Sequence, residues 1–193
     1  MAPPRPLGCT PGGEETVAAT LAESLAAGDP QAFAALYDRL AARLLGAART
    51  MTAASADAED VVQDLFVELA RGRTHLATVA DLEAYVFTML RNAVRRRSRR
   101  VAIGRRAVLA IAERRCAAGG LLSAAADLPD DQLAAAVAAL PEAQREVVAL
   151  KINAGLTFAE IAAVTGTSLN TAASRYRYAL EKLRTALTVQ EEE

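Results

Sequence analysis

The stretch Thr157–Arg177, TFAEIAAVTGTSLNTAASRYR, contains the parts of two short helices and the turn between them. Thr157 and Glu160 stand three residues apart, the spacing at which each side chain satisfies the other's free backbone N–H at a helix start. Gly166 then supplies the backbone freedom that ends a helix. Ser168 opens a second helix predicted to run to about Leu187, with an apolar stripe of Leu169, Ala172, Ala173, Tyr176, Leu180, Leu183 and Leu187 at helical spacing. Ala162 and Ala163 are small enough for two helices to cross closely. The pattern predicts a helix-turn-helix, although an ordinary helical hairpin shares many of its parts. The second helix would present Asn170, Thr171, Ser174, Arg175 and Tyr178 from its N-terminal half, the portion that enters a major groove in such units. Arg175 shares the side of Thr171, Ser174 and Tyr178, and Arg177 lies nearer the Asn170–Ser174 edge.

Upstream, Pro141 opens a helix carrying Val147, Val148, Leu150 and Ile152, closed by Gly155. Between Cys116 and Pro129 the periodicity lapses, and Gly119-Gly120 and Asp127-Leu128-Pro129-Asp130 punctuate the chain. The N-terminal half again reads as amphipathic helices. One runs from about Glu15 to Ala27 and stops at Gly28. Asp29-Pro30 begins the next, whose stripe is Phe33, Leu36, Tyr37, Leu40, Leu44 and Leu45. A third spans about Asp57–Arg71 on a core face of Val61, Val62, Leu65, Phe66 and Leu69. After the loop Gly72–Ala80, Asp81 caps a long fourth helix with a stripe of Leu82, Tyr85, Val86, Met89, Leu90, Ala93 and Val94. Four such stripes buried together make a small bundle.

Composition agrees. Of 193 residues 46 are Ala, aromatics are 4% and Trp is absent. A β-sandwich or barrel needs more β-branched and aromatic residues, so the expected class is all-α. The longest run without a charged residue, Ile161–Ser174, has 14 residues, against about 20 apolar ones for a membrane span. Residues 1–13 hold four Pro and three Gly, read as a disordered tail without the apolar run of a signal peptide. Cys9 and Cys116 lack a partner spacing and read as reduced thiols. No metal-ligand spacing, Gly-rich phosphate loop or nucleophile–base pair is present, so no cofactor, metal or enzymatic activity is expected. His75 is the only histidine.

The net charge of −1 conceals a strong asymmetry. Residues 1–90 carry net −6, residues 91–115 carry ten Arg and net +9, and Glu191–Glu193 add −3. A basic block of that density is a candidate phosphate-binding surface. Arg forks suit phosphate oxygens and base edges. Asn92, Arg95, Arg96 and Arg99 share one face of the fourth helix. Asp57, Asp60, Asp64 and Glu68, with Gln63 beside them, form an acidic side of the third, which suits a basic protein surface.

These pieces in this order resemble one family. DPQAFAALYDRLAARLL, DAEDVVQDLFVELAR and YVFTMLRNAVRRRSRR are similar to conserved region two of bacterial sigma factors, and LPEAQREVVALKINAGLTFAEIAAVTGTSLNTAASRYRYALEKLR resembles region four. The combination looks like the extracytoplasmic-function (ECF) type. The resemblance implies a tail at 1–13, a region-two helical domain at 14–110, a linker at 111–130, a region-four helix-turn-helix domain at 131–188 and an acidic tail at 189–193. It implies a cytoplasmic protein whose partners are core RNA polymerase (the β′ clamp helices and β flap), promoter DNA and an anti-sigma factor. Asp57, Asp60, Gln63 and Asp64 fall where the family meets the polymerase. Phe66 falls there too, but its periodicity gives it a core role. His75, Asn92, Arg95, Arg96 and Arg99 fall where the family contacts the −10 element, and the loop Gly72–Ala80 where it captures a flipped base. Asn170, Thr171, Ser174, Arg175 and Arg177 correspond to the −35 helix, which Ala173 and Tyr178 make less basic than is usual. A stand-alone helix-turn-helix regulator and a sigma mimic that sequesters an anti-sigma factor remain alternatives. Limited proteolysis is expected to cut first within 116–130 and to release two helical fragments. Primary cleavage within 57–100 would contradict that division.

Overall fold

The computed structural model describes residues 21–52, 55–113 and 129–188. Among these, every regular element is helical, as the composition predicts. A helix over 21–27 (α1) is followed by α2 (Pro30–Met51), α3 (Ser55–Arg71) and α4 (Leu82–Glu113). A second group comprises α5 (Pro129–Ala139), α6 (Glu142–Val148), α7 (Phe158–Thr165) and α8 (Leu169–Thr188). The tail, most of the expected linker and the acidic terminus lie outside the described residues.

Local chemistry accounts for where the helices begin. Gly28 adopts φ +84°, a left-handed conformation that glycine takes without strain, and α1 ends there. The Asp29 carboxylate accepts from Gln31 N–H at 2.9 Å, with Pro30 in the first turn of α2. Asp81 does the same for α4, accepting from Ala84 N–H at 2.9 Å. Between α3 and α4 the expected open loop contains a 3-10 helix, Arg73–Thr78, that buries Leu76. One apolar side chain in the segment suffices to pull it against the core.

In the first group α2 buries Leu36, Leu40, Leu44, Ala47, Ala48 and Met51 against Val61, Val62, Leu65 and Leu69 of α3. Arg39 and Arg43 of α2 both pair with Glu83 at the start of α4. Tyr37, assigned to the buried stripe, is 51% exposed and stacks at 4.9 Å on the half-buried Phe66. On α4 the buried arc is Val86, Phe87, Leu90 and Val94, and Leu82, Tyr85 and Met89 form only its edge. Phe87 is fully buried although it lies off the stripe expected from sequence. Its side of α4 faces the second group of helices.

That second group folds partly on itself and partly on the first. Leu140, Val148, Ala179 and Leu183 form its private cluster. Val147, Ala149, Leu150, Ala154, Leu156, Ile161, Val164 and Ala172 instead join the core of α2–α4. After α6 the chain widens into a π-helical turn, Ala149–Asn153, in which Ala154 N–H donates to the carbonyl of Ala149 five residues back. The wider turn carries Ile152 away from the α register, and it is 61% exposed rather than buried. On α8 the buried stripe is Ala172, Ala179 and Leu183 with Tyr176 beside them, while Leu169 and Leu180 are exposed. The helix meets its neighbours through small residues, so the contact line runs along alanines. Ala162 is buried at the crossing and Ala163 is not.

Burial alone would push the Glu83 carboxyl up, but its bonds to Arg43 and Arg39 hold it below its usual range. A depressed carboxyl stabilises the fold above its unfolded value and loses that contribution as pH falls through the folded value. The stability of the parent over Glu83→Gln, followed by urea denaturation, is therefore expected to be largest above about pH 5 and to shrink towards pH ~3. A difference that does not change with pH would contradict the pairing.

Candidate nucleic-acid interface

The α3–α4 pair carries both charged faces. On α3, Asp60, Gln63 and Asp64 are exposed, and so is Val67, an apolar residue one turn beyond Gln63. Sequence periodicity gave no reason to single out Val67, which marks a small dry spot inside an acidic face. Asp57 is half-buried and turns towards α4, where it binds Arg97. Arg97 also donates to Asp60 at 3.0 Å. The hydrogen bond to Asp57, helped by Asp60 and opposed by slight desolvation, holds the Arg97 guanidinium above its ordinary value. Arg96 makes a two-pronged pair with Glu68 at 3.0 and 3.1 Å. These bridges fix α4 against α3, so the arginine face has a defined orientation.

At about 100° per residue, Arg95, Arg99, Asn92 and Arg96 fall in that order across one sector of α4 roughly 100° wide. Asn92, Arg96 and Arg99 are exposed. Arg95, at the edge nearest the second group of helices, departs from the expected free face. Its Nε lies 2.7 Å from Glu146 and 3.0 Å from Glu142, both on α6. His75 lies on the 3-10 segment, its ring edge-on to Tyr85 at 6.0 Å and its Nδ1 3.3 Å from the Thr78 hydroxyl. It is exposed near the start of α4 and distant in sequence from the arginine sector.

The helix-turn-helix forms as its sequence predicts. Thr157 caps α7, accepting from Glu160 N–H, while the Glu160 carboxylate accepts from Thr157 N–H at 2.6 Å. Gly166 takes φ +66°, and Ser168 caps α8 by accepting from Thr171 N–H at 3.1 Å. Phe158 packs edge-on to Tyr176 at 5.6 Å, holding α7 to α8. On α8, Asn170, Arg177 and Tyr178 are exposed, with the Arg177 guanidinium 5.1 Å above the Tyr178 ring. Thr171, Ser174 and Arg175 are half-buried. Arg175 sits only about 70° from the buried stripe and Arg177 about 130°, so Arg177 is the more outward of the two. This reverses the order expected from sequence, because the buried stripe lies rotated towards the alanines.

Among the described residues no group of His, Cys and carboxylates is placed to hold a metal ion, and no helix is long and apolar enough to cross a membrane. Residues 36–102 match the family described as Sigma-70 region 2, and residues 130–183 match Sigma-70, region 4. The two groups of helices are thus the two conserved regions of a promoter-recognition subunit. The chain is 30% identical over 181 residues to ECF RNA polymerase sigma factor SigK of Mycobacterium ulcerans (strain Agy99), covering 86% of this chain and 91% of that protein. It is 30% identical over 169 residues to ECF RNA polymerase sigma factor RpoE of Cereibacter sphaeroides, covering 81% and 86%. The fold is similar to CnrH in complex with the cytosolic domain of CnrY, with a TM-score of 0.64 and 26% identity over 89% of this chain and 97% of that one. It is also similar to the sigma factor RpoE in complex with the anti-sigma factor NepR from Bartonella quintana, with a TM-score of 0.61 and 23% identity over 80% and 97%. The chain belongs to the ECF sigma factors, which direct RNA polymerase to promoters and are not an enzyme family.

The cap of α7 sets the angle at which α8 is presented. Thr157→Ala removes an acceptor from the helix start and is expected to cost about 1 kcal/mol of stability, read by thermal denaturation. No change in midpoint would mean the cap is not formed in solution.

Proposed function

We propose that this chain engages core polymerase through Asp60, Gln63 and Asp64 of α3, with Asp57 positioning Arg97 behind them. The contacts are the β′ clamp helices for region two and the β flap for region four. The −10 element is read by Asn92, Arg95, Arg96 and Arg99 of α4, with His75 and the 3-10 segment at the end of that face. The −35 element is read by α8, with Asn170 and Arg177 foremost and Thr171, Ser174 and Arg175 beside them. The observation that carries this reading is the pairing of two exposed faces on one rigid framework. One is acidic, with an apolar centre at Val67, and the other carries Asn92, Arg96 and Arg99. An acidic face repels DNA and attracts a basic protein surface, and the arginine face does the reverse.

The two structural domains are those bounded at 14–110 and 131–188, joined by the linker 111–130. The protein works in the cytoplasm, by binding alone and without chemistry of its own. An anti-sigma factor is its regulatory partner. The similar CnrH, held by the cytosolic domain of CnrY, supports a partner of that kind. A stand-alone regulator would have no use for the acidic face, and a sequestering mimic none for the arginine sector.

The test is transcription by core polymerase on fragments of the source genome, with and without the protein. The parent is expected to give discrete promoter-dependent transcripts. Asp60→Arg with Gln63→Ala is expected to lose co-purification with core enzyme and, with it, those transcripts. Arg177→Ala is expected to keep core binding and lose about tenfold in use of promoters that depend on their −35 element. Tight sequence-specific duplex binding by the chain alone, without transcripts, would favour the stand-alone regulator.

A further inference from the structure

Arg91 and Arg95 of α4 converge on one carboxylate of the second domain. Arg91 Nε lies 3.3 Å from Glu146, and Arg95 contributes Nε at 2.7 Å and a terminal nitrogen at 3.2 Å. Glu146 is 4% exposed, so these guanidinium groups replace the water it has lost. A guanidinium fork fits a carboxylate and a phosphate by the same geometry. We propose that Glu146 is a built-in competitor for DNA: it occupies the arginine edge of the −10 surface, and the chain with its domains closed is a latent form that must open before α4 takes promoter DNA in full. The inference rests on the −10 assignment of α4 made above.

Three further features support a joint made to be separable rather than a permanent core. The closure is bordered by polar contacts, with Arg43 donating to the Ala154 carbonyl at 2.8 Å and Thr50 to Asn153 Oδ1 at 2.8 Å. Gly46, in the middle of α2, leaves the notch into which Asn153 fits, and a Cβ there would lie 3.2 Å from the Asn153 Cβ. Glu142 gives Arg95 a second partner at the solvent edge, with a side chain 61% exposed, where salt and phosphate can reach it. Since one fork cannot hold Glu146 and a phosphate at once, DNA binding and closure are reciprocally linked. DNA then binds the chain in proportion to the fraction that is open.

The experiment uses the full chain and two independent ways of opening it. Gly46→Gln places a polar, helix-favouring side chain against Asn153 without touching α4. Glu142→Gln with Glu146→Gln removes the competing charge while keeping side-chain shape. Small-angle scattering reads closure, circular dichroism confirms helicity, and fluorescence anisotropy reads binding of a mixed-sequence single-stranded DNA of about 20 nucleotides. Both variants are expected to expand the particle and to bind the oligonucleotide about tenfold more tightly if roughly one parent molecule in ten is open. Adding Arg95→Ala is expected to abolish the gain. If either opened variant, still helical, gains no affinity, or keeps its gain without Arg95, the occlusion proposal is overturned. Scattering unchanged in both overturns it as well. Arg99→Ala in the parent tests the surface itself, because that side chain is already exposed. Undiminished oligonucleotide binding there would remove the −10 assignment and the occlusion with it, whereas weakened binding with no gain on opening would remove the occlusion alone.

Discussion

A carboxylate taken out of water must be answered by cations, and Glu146 is answered from across a domain boundary. That requirement sets the relation between the two halves of the chain. Once Arg91 and Arg95 are committed to Glu146, α6 lies along α4. The turn after α6 then drops onto α2, and Leu150, Leu156 and Ile161 enter the core of the first domain. Apolar burial supplies most of the attraction, since it scales with the area covered. It does not choose the register. Breaking a buried ion pair by removing one partner typically costs about 3–5 kcal/mol, because the remaining charge is stranded. The pair therefore excludes neighbouring placements of α6 that would bury as much apolar surface. Arg43 reinforces the choice. It pairs with Glu83, lies 5.4 Å over the Phe87 ring and donates to the Ala154 carbonyl, so one side chain joins α2, α4 and the second domain.

The arginines of α4 divide by angle. Those turned towards α3 are structural: Arg97 holds Asp57 and Asp60, and Arg96 holds Glu68. Those turned towards α6 hold the domains together. Asn92 and Arg99 lie between these sets and face solvent. A dense basic segment is therefore not uniformly a nucleic-acid surface, because part of it is consumed by acidic partners inside the protein. The whole-chain charge near zero follows from the same fact, since the acids of α3 neutralise arginines in the fold as well as in the sum.

Much of the fold was legible because helix starts are local. Asp29-Pro30, Asp81, Thr157 with Glu160, and Ser168 each place a polar acceptor where free N–H groups need one, and the structure uses all of them. Features set by docking were not legible. Phe87 is buried because a second domain covers its side of α4, which one-helix periodicity does not contain. Leu169 and Leu180 lie exposed because α8 approaches its partners through Ala172 and Ala179. Ile152 lies exposed because a π turn breaks the register. The candidate site followed the same rule. The helices and residue types that carry it could be read from charge segments and spacing, but not that Arg95 is tied to α6, nor that Arg177 stands further out than Arg175.

The π turn at Ala149–Asn153 has a bearing on what this chain tolerates. A turn of that kind holds one residue more than an α-helix needs. Deleting a single residue there would let the helix close regularly and would rotate everything after it by about 100°. Asn153 would miss its notch, and the helix-turn-helix would present another side to the first domain. In this segment the quantity under constraint is chain length rather than residue identity. Substitutions at the exposed Ile152 change little of the geometry, while a lost or added codon redirects a whole domain.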